Sequence, residues 1–182
     1  MNKSQKGFTL IELLVVIALI AVLAVAVVLA LNPAELLKQG RDSTRTSDLA
    51  SINSALSLYL ADVSSPSLGN NANCYVHASS SANCSSIFAG SPTTTSTSSQ
   101  AINGTGWIPV NLTAISSGAP LPKYPIDPTN NATYFYAYRP GPAASSTYKI
   151  TAVLESGKYK PQAATDGGTS STVYEVGNDL SL

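Results

Sequence analysis

From Phe8 the chain reads FTLIELLVVIALIAVLAVAVVLAL, with apolar side chains at 22 of 24 positions, Thr9 and Glu12 being the exceptions. Leu13 to Leu31 is an unbroken apolar run of 19 residues. As a helix the segment 8–31 is about 36 Å long at ~1.5 Å per residue, enough to cross a hydrocarbon core of about 30 Å. The pattern then changes. Asn32-Pro33-Ala34-Glu35 places a cap residue before a proline, with an acid three positions after the cap. Those residues predict a helix start and a kink or break in the chain. From Pro33 to about Asp62, Leu49, Ile52, Leu56 and Tyr59 or Leu60 recur at spacings of three and four, which predicts an amphipathic helix with one packing face. Lys38, Arg41, Asp42, Arg45 and Asp48 lie mostly off that stripe and read as a solvated or intersubunit face.

From Val63 to about Gly106 the chain turns to Ser, Thr, Asn, Gly and Ala, and Ser91 to Ser99 is Ser or Thr at eight of nine positions. This stretch reads as an exposed connection with little structure of its own. Alternation returns at Thr133 to Arg139, with Tyr134, Tyr136 and Tyr138 on one face, and again at Tyr148, Ile150, Ala152 and Leu154. Thr172 to Val176 is a third candidate strand, and Gly141-Pro142 and Gly167-Gly168 mark turns. The expected fold is α+β, a three-stranded antiparallel sheet over the amphipathic half of a long N-terminal helix.

Charge changes the picture in two ways. Ten Lys and Arg balance ten Asp and Glu, which leaves no excess positive charge for phosphates and speaks against a nucleic-acid binder. The charges are also unevenly spread, with none between Val63 and Pro122. One His, one Met and two Cys are little material for catalysis. No Walker loop, dinucleotide fingerprint or nucleophile elbow is present, so the expectation is a protein that is not an enzyme.

The polar start, MNKSQKG, carries Lys3 and Lys6, which favour a cytoplasmic N-terminus, although Lys38, Arg41 and Arg45 beyond the span oppose that reading. Ala24-Val25-Ala26 offers a site for a secretory signal, but the apolar core is longer than such signals have. A plain signal anchor accommodates the length. Neither accounts for Glu12, an acid one turn inside the apolar run. It either snorkels to the interface or has a partner.

Lys6-Gly7-Phe8-Thr9-Leu10-Ile11-Glu12-Leu13 with its apolar continuation resembles the class III leader of bacterial type IV pilins and type II secretion pseudopilins, matching at every motif position. The resemblance implies that a membrane aspartic peptidase cuts after Gly7 on the cytoplasmic side and methylates the new N-terminus at Phe8. It also implies that Glu12 pairs with the N-terminal amine of a neighbouring subunit during assembly. A buried ion pair is a poor source of stability but a good register device. The implied organisation is a leader at 1–7, a transmembrane and filament-core helix at 8–31, an amphipathic helix at 32–62, and an extracytoplasmic head at 63–182. The family fold has a small antiparallel sheet against the C-terminal half of the long helix. Leu121-Pro122-Lys123-Tyr124-Pro125-Ile126-Asp127-Pro128, with Asn130-Asn131 and the Tyr134 to Tyr138 strand, more loosely resembles a segment of major pseudopilins. In those proteins a C-terminal loop binds calcium, which makes Asp166, Asn178 and Asp179 weak calcium candidates against a reading as ordinary turn residues.

Cys74 and Cys84, outside the membrane in this reading, are candidates for a disulfide, with free thiols as the alternative. With His77 they supply three zinc ligands and no clear fourth, and His77 otherwise reads as a loop histidine. Asn103, Asn111 and Asn131 each open an Asn-x-Thr acceptor pattern, and the Ser/Thr tract is a candidate for O-linked sugars. Trp107, Tyr134, Tyr136 and Tyr138 can serve a surface ligand, although sheet packing is the simpler role. The expected function is a filament subunit whose partners are its own copies, prepilin peptidase, the pilus or secretion machinery and the bilayer. The alternatives are a type II secretion pseudopilin, a membrane-anchored binding protein that does not polymerise, and an anchored enzyme.

Overall fold

The computed structural model describes residues 7–143 and 145–182, with the side chains of 29–31 outside that description. Lys3 and Lys6 therefore lie outside the described residues. The chain divides into two units, Met1–Leu37 and Lys38–Leu182. In the first, α1 (Leu10–Leu31) begins at an N-cap on Thr9 and ends at Asn32, whose φ of 41° and ψ of 73° are left-handed. Pro33 explains that end, because it has no N–H to extend the ladder and disfavours helical geometry in the residue before it. The Asn32 carbonyl accepts from Glu35 N and Leu36 N, and α2 (Pro33–Asp62) starts there. The predicted break is where the Asn-Pro pair puts it. The large apolar side chains described in α1 are all exposed, Val15 least at 49%.

The second unit buries the predicted stripe of α2. Leu49, Ile52, Leu56 and Tyr59 are almost wholly covered, and they pack with Tyr75, Tyr136, Tyr138, Tyr148 and Ile150. The sheet has five strands in the order β2-β1-β3-β4-β5: β1 Asn73–His77, β2 Thr93–Thr97, β3 Tyr136–Pro140, β4 Tyr148–Ala152 and β5 Tyr174–Gly177. The last three pair antiparallel, β1 pairs antiparallel with β3, and β1 and β2 run parallel. The α+β class is as expected. The three predicted strands are present with shifted ends, and two more come from the stretch taken for a connection. That stretch carries no apolar period because β2 is an edge strand of Thr and Ser.

Alternation along the strands feeds two clusters. Tyr75, Tyr136 and Tyr138 belong to the main core, whereas Cys74, Val76 and Ala137 join Cys84, Phe88 and Phe135 in a smaller one. The buried tyrosines bring hydroxyls that need acceptors. Tyr138 OH donates to the Leu68 carbonyl (2.8 Å), Tyr124 OH to the Val110 carbonyl (2.9 Å) and Tyr148 OH to Asn53 Oδ1 (2.8 Å). Gly177 is required by contact: a Cβ there would stand 2.2 Å from the Tyr148 carbonyl oxygen.

Leu56 is fully enclosed between helix and sheet. Leu56→Ala is expected to cost about 2–5 kcal/mol, read as a lowered Tm by near-ultraviolet circular dichroism of the detergent-solubilised chain. The same change at Leu58, which is 40% exposed, is expected to move Tm much less.

Candidate functional site

At the head of α1 the order Thr9-x-x-Glu12 makes a capping box. Thr9 N and Thr9 Oγ1 donate to Glu12 Oε2 at 2.8 and 2.7 Å, and Glu12 N donates to Thr9 Oγ1 at 3.3 Å. Sequence reasoning gave Glu12 either a place at the membrane interface or a partner in another subunit and missed this local one, although Thr-x-x-Glu before an apolar run is its signature. The box closes two of the free N–H groups at the helix start and gives the carboxylate two donors of its own. Phe8 is 90% exposed and, with Ile11, Glu12, Val15 and Val16, lines an apolar groove beside the acid. Gly7 has nothing within 4 Å of where a Cβ would sit, so no packing among the described residues calls for glycine there.

In the second unit two of the five charges read as a solvated or intersubunit face, Asp42 and Arg45, are buried instead, while Lys38, Arg41 and Asp48 are partly exposed. Asp42 and Arg45 have no exposed surface. One helical turn apart on α2, they share a cluster with Asp127 and Glu155. Arg45 grips Asp127 through Nε (2.6 Å) and Nη2 (2.9 Å), Asp42 through Nη1 (2.8 Å) and Glu155 through Nη2 (2.6 Å). Asp42 also accepts from Glu155 N, Ser156 N and Ser156 Oγ, the last two at 2.7 Å. Arg41, half-buried, adds a two-point contact to Glu155. A guanidinium with five donors can be buried if every donor finds an acceptor, and the apolar stripe alone does not reveal the loops that bring them. Asp127 is the only acid between Asp62 and Glu155, and that isolation was the available signal.

The electrostatics follow from these contacts. Glu155 is held at about 2 by its hydrogen bonds from Arg41, which with those from Arg45 outweigh burial. Burial opposes charge on Asp42, but the bonds from Ser156, Glu155 N and Arg45 hold its carboxyl below the usual range. Asp48 differs: burial and the nearby Asp127 charge push it up despite a 2.8 Å bond from Tyr136.

A family model described as the prokaryotic N-terminal methylation motif matches residues 2–28. The signal is of the prepilin type. Such a signal marks precursors of the type IV pilin and pseudopilin class. No curated protein and no solved structure matches the chain. An apolar helix from Leu10 to Val28, long enough to cross a membrane, directly behind a prepilin signal fits a membrane-anchored protein. The capping box lies inside the matched span, at the first turn of that helix.

The other sequence candidates of this prepilin-type chain separate. Cys74 and Cys84 are joined in a disulfide with Cα atoms 6.1 Å apart. His77 closes β1 and contacts Ser79 Oγ (2.7 Å) and the Ser98 carbonyl (3.0 Å), so it is a strand-end residue and not a loop histidine. The calcium candidates are engaged locally. Asp166 accepts from Gly168 N and Glu175 N, Asn178 from Tyr148 N, and Asp179 from Ser181 N and Oγ. Among the described residues no three His, Cys, Asp or Glu side chains are placed to hold a metal ion. Trp107, Tyr136 and Tyr138 are core residues, and only Tyr134 of the four aromatics keeps an accessible side chain.

Two predictions follow from the head's cross-links. A carboxyl held below its unfolded pKa stabilises the fold above that value and loses the contribution as pH falls. For Glu155 the window runs from its ordinary 4.5 down to about 2, with Asp42 adding in the same direction and Asp48 opposing. Tm is therefore expected to fall through this range, and Glu155→Gln to lower Tm at neutral pH while flattening the acid limb. Replacing both Cys74 and Cys84 by Ser is expected to cost about 2–4 kcal/mol, measured by chemical unfolding, with wild type in reductant shifting alike.

Proposed function

We propose that the protein is a structural subunit of a type IV pilus-like filament, cut by prepilin peptidase after Gly7, methylated at Phe8 and assembled through α1. The observation that carries this reading is the first turn of α1 and what precedes it. A glycine that packing does not require, an exposed Phe8 and an acid inside an apolar helix are costly or idle in a plain anchor, and each has a task in processing and assembly. Gly7 suits a peptidase that needs a small residue and an accessible backbone. The exposed apolar side chains of α1 suit lipid first and the α1 helices of other copies afterwards.

Glu12 links the two states. In the single subunit its carboxylate is satisfied by Thr9. Cutting after Gly7 creates an amine on Phe8, and in the filament that amine, on a neighbouring copy, is a stronger partner than a hydroxyl and an amide. Leaving a carboxylate unpaired in an apolar packing is strongly unfavourable, so subunits are added in the register that provides the pair.

The role is assembly, not catalysis. The monomer is a single-pass membrane protein with residues after the span outside the cytoplasm, where a disulfide such as Cys74–Cys84 persists. Its partners are prepilin peptidase, the assembly machinery, the bilayer and its own copies, and no cofactor is needed for this role. A second reading, a type II secretion pseudopilin, shares every step and differs in the task of the filament. The Asp127-Pro128 segment favours it, since the element that carries the looser pseudopilin resemblance is the one that grips Arg45.

The test is the N-terminal residue and intact mass of the protein in membranes and in sheared surface material. Wild type is expected to start at N-methylated Phe8 in the sheared fraction. Gly7→Leu is expected to retain Met1 and stay in membranes, and Glu12→Ala to be processed and inserted but depleted from the sheared fraction by about tenfold or more. A start beyond Ala26, or undiminished surface material with Glu12→Ala, would overturn the proposal.

A further inference from the structure

Of the four aromatics that read as ligand candidates, Tyr134 alone is left beside a cavity. It and Thr133, just before β3, line a pocket of about 350 Å³ with Val153 and Leu154 just after β4 and with Lys160, Ser171 and Thr172, whose hydroxyl is bonded to Ser170, from the segment between β4 and β5. That volume is at the lower end of the ~300–1,000 Å³ of small-molecule sites. We propose that this pocket binds a sugar residue bearing a carboxylate, of the hexuronate type.

Arg45 sits 5.1 Å from the centre of the Tyr134 ring, and Arg45 is itself held by three carboxylates, so the ring is oriented before any ligand arrives. Among the described residues the Tyr134 hydroxyl, the Thr133 and Ser171 hydroxyls and the Lys160 ammonium make no hydrogen bond or ion pair. Among the described residues no Asp or Glu lines the pocket, so the Lys160 charge stands there without a compensating acid. The Tyr134 ring with Val153 and Leu154 offers apolar surface to the C–H face of a sugar, and the three hydroxyls match its hydroxyl groups. Lys160, a point charge on a flexible stem, suits a single carboxylate. A purely apolar ligand would leave four polar groups without partners, and a bare anion would use none of the apolar surface.

The test is an NMR titration of the isotopically labelled full chain in detergent micelles, with glucuronate as ligand and glucose and acetate as its two halves. Glucuronate is expected to give saturable shifts at the amides of Thr133, Tyr134 and Ser171 with millimolar Kd, and glucose and acetate to bind about tenfold more weakly. Lys160→Met is expected to weaken glucuronate about tenfold and leave glucose unchanged, with Lys160→Gln as a second variant should the first disturb the fold. Lys123→Met, an exposed lysine outside the pocket, is expected to leave all three ligands unaffected. The proposal is overturned if glucuronate gives no saturable shift, if acetate or glucose binds as well as glucuronate, or if both Lys160 variants bind glucuronate as wild type does. Because none of these readouts involves α1 or assembly, failure here leaves the filament reading standing, and failure of that reading leaves this one.

Discussion

The head depends on a guanidinium with no exposed surface. Arg45 belongs to α2, and its acceptors come from positions 82 and 110 residues further along the chain, Asp127 and Glu155. A buried cation is strongly unfavourable alone, so the loops carrying those acids cannot drift from α2 without leaving it stranded. Asp127 in turn accepts from Thr129 N and Asn130 N, and Asp42 from the backbone at Glu155 and Ser156. Two irregular segments that lack strand pairing are thereby tied to α2. Hydrophobic burial supplies the drive to fold, and the ion cluster decides which loops lie against which turn of the helix.

The two units answer to different solvents. In residues 38–182 apolar side chains go inside and even the buried charges are paired. In α1 the described apolar side chains are outside, and the one acid carries its own donors. The contrast fits a membrane-anchored α1, an exposed apolar helix directly after a prepilin-type signal.

Much of this was legible in the sequence wherever periodicity was strong. The apolar run, the Asn-Pro break and the Leu49, Ile52, Leu56, Tyr59 stripe all follow from spacing, and so do the tyrosines that alternate into the core. The strands at Asn73–His77 and Thr93–Thr97 did not, because the Thr and Ser of the edge strand β2 satisfy both a strand and a loop, β1 is only five residues long, and their parallel pairing leaves no hairpin turn to read. The cluster around Arg45 was hidden for another reason: helical position tells which face a charge is on, not which distant loop will cover that face. At the N-terminus the opposite occurred. There Thr9 and Glu12 belong at once to the leader-like motif and to an ordinary capping box, and a short motif read for one role conceals the other.

The parallel pairing of β1 and β2 has a consequence for the order in which the chain folds. A parallel pair needs a crossover, usually a dozen or more residues and commonly a helix. Here it runs over the 15 residues 78–92 with only a short 3-10 turn. The Cys74–Cys84 bond ties the middle of that crossover back to β1, so the free path to β2 is the eight residues 85–92. Before oxidation the edge strand must search from a longer tether and pays a larger closure entropy for each encounter. Oxidation thus shortens a long-range contact into a nearly local one. Oxidation therefore favours docking of the fifth strand by about 0.6 kcal/mol, the closure entropy gained by roughly halving its tether.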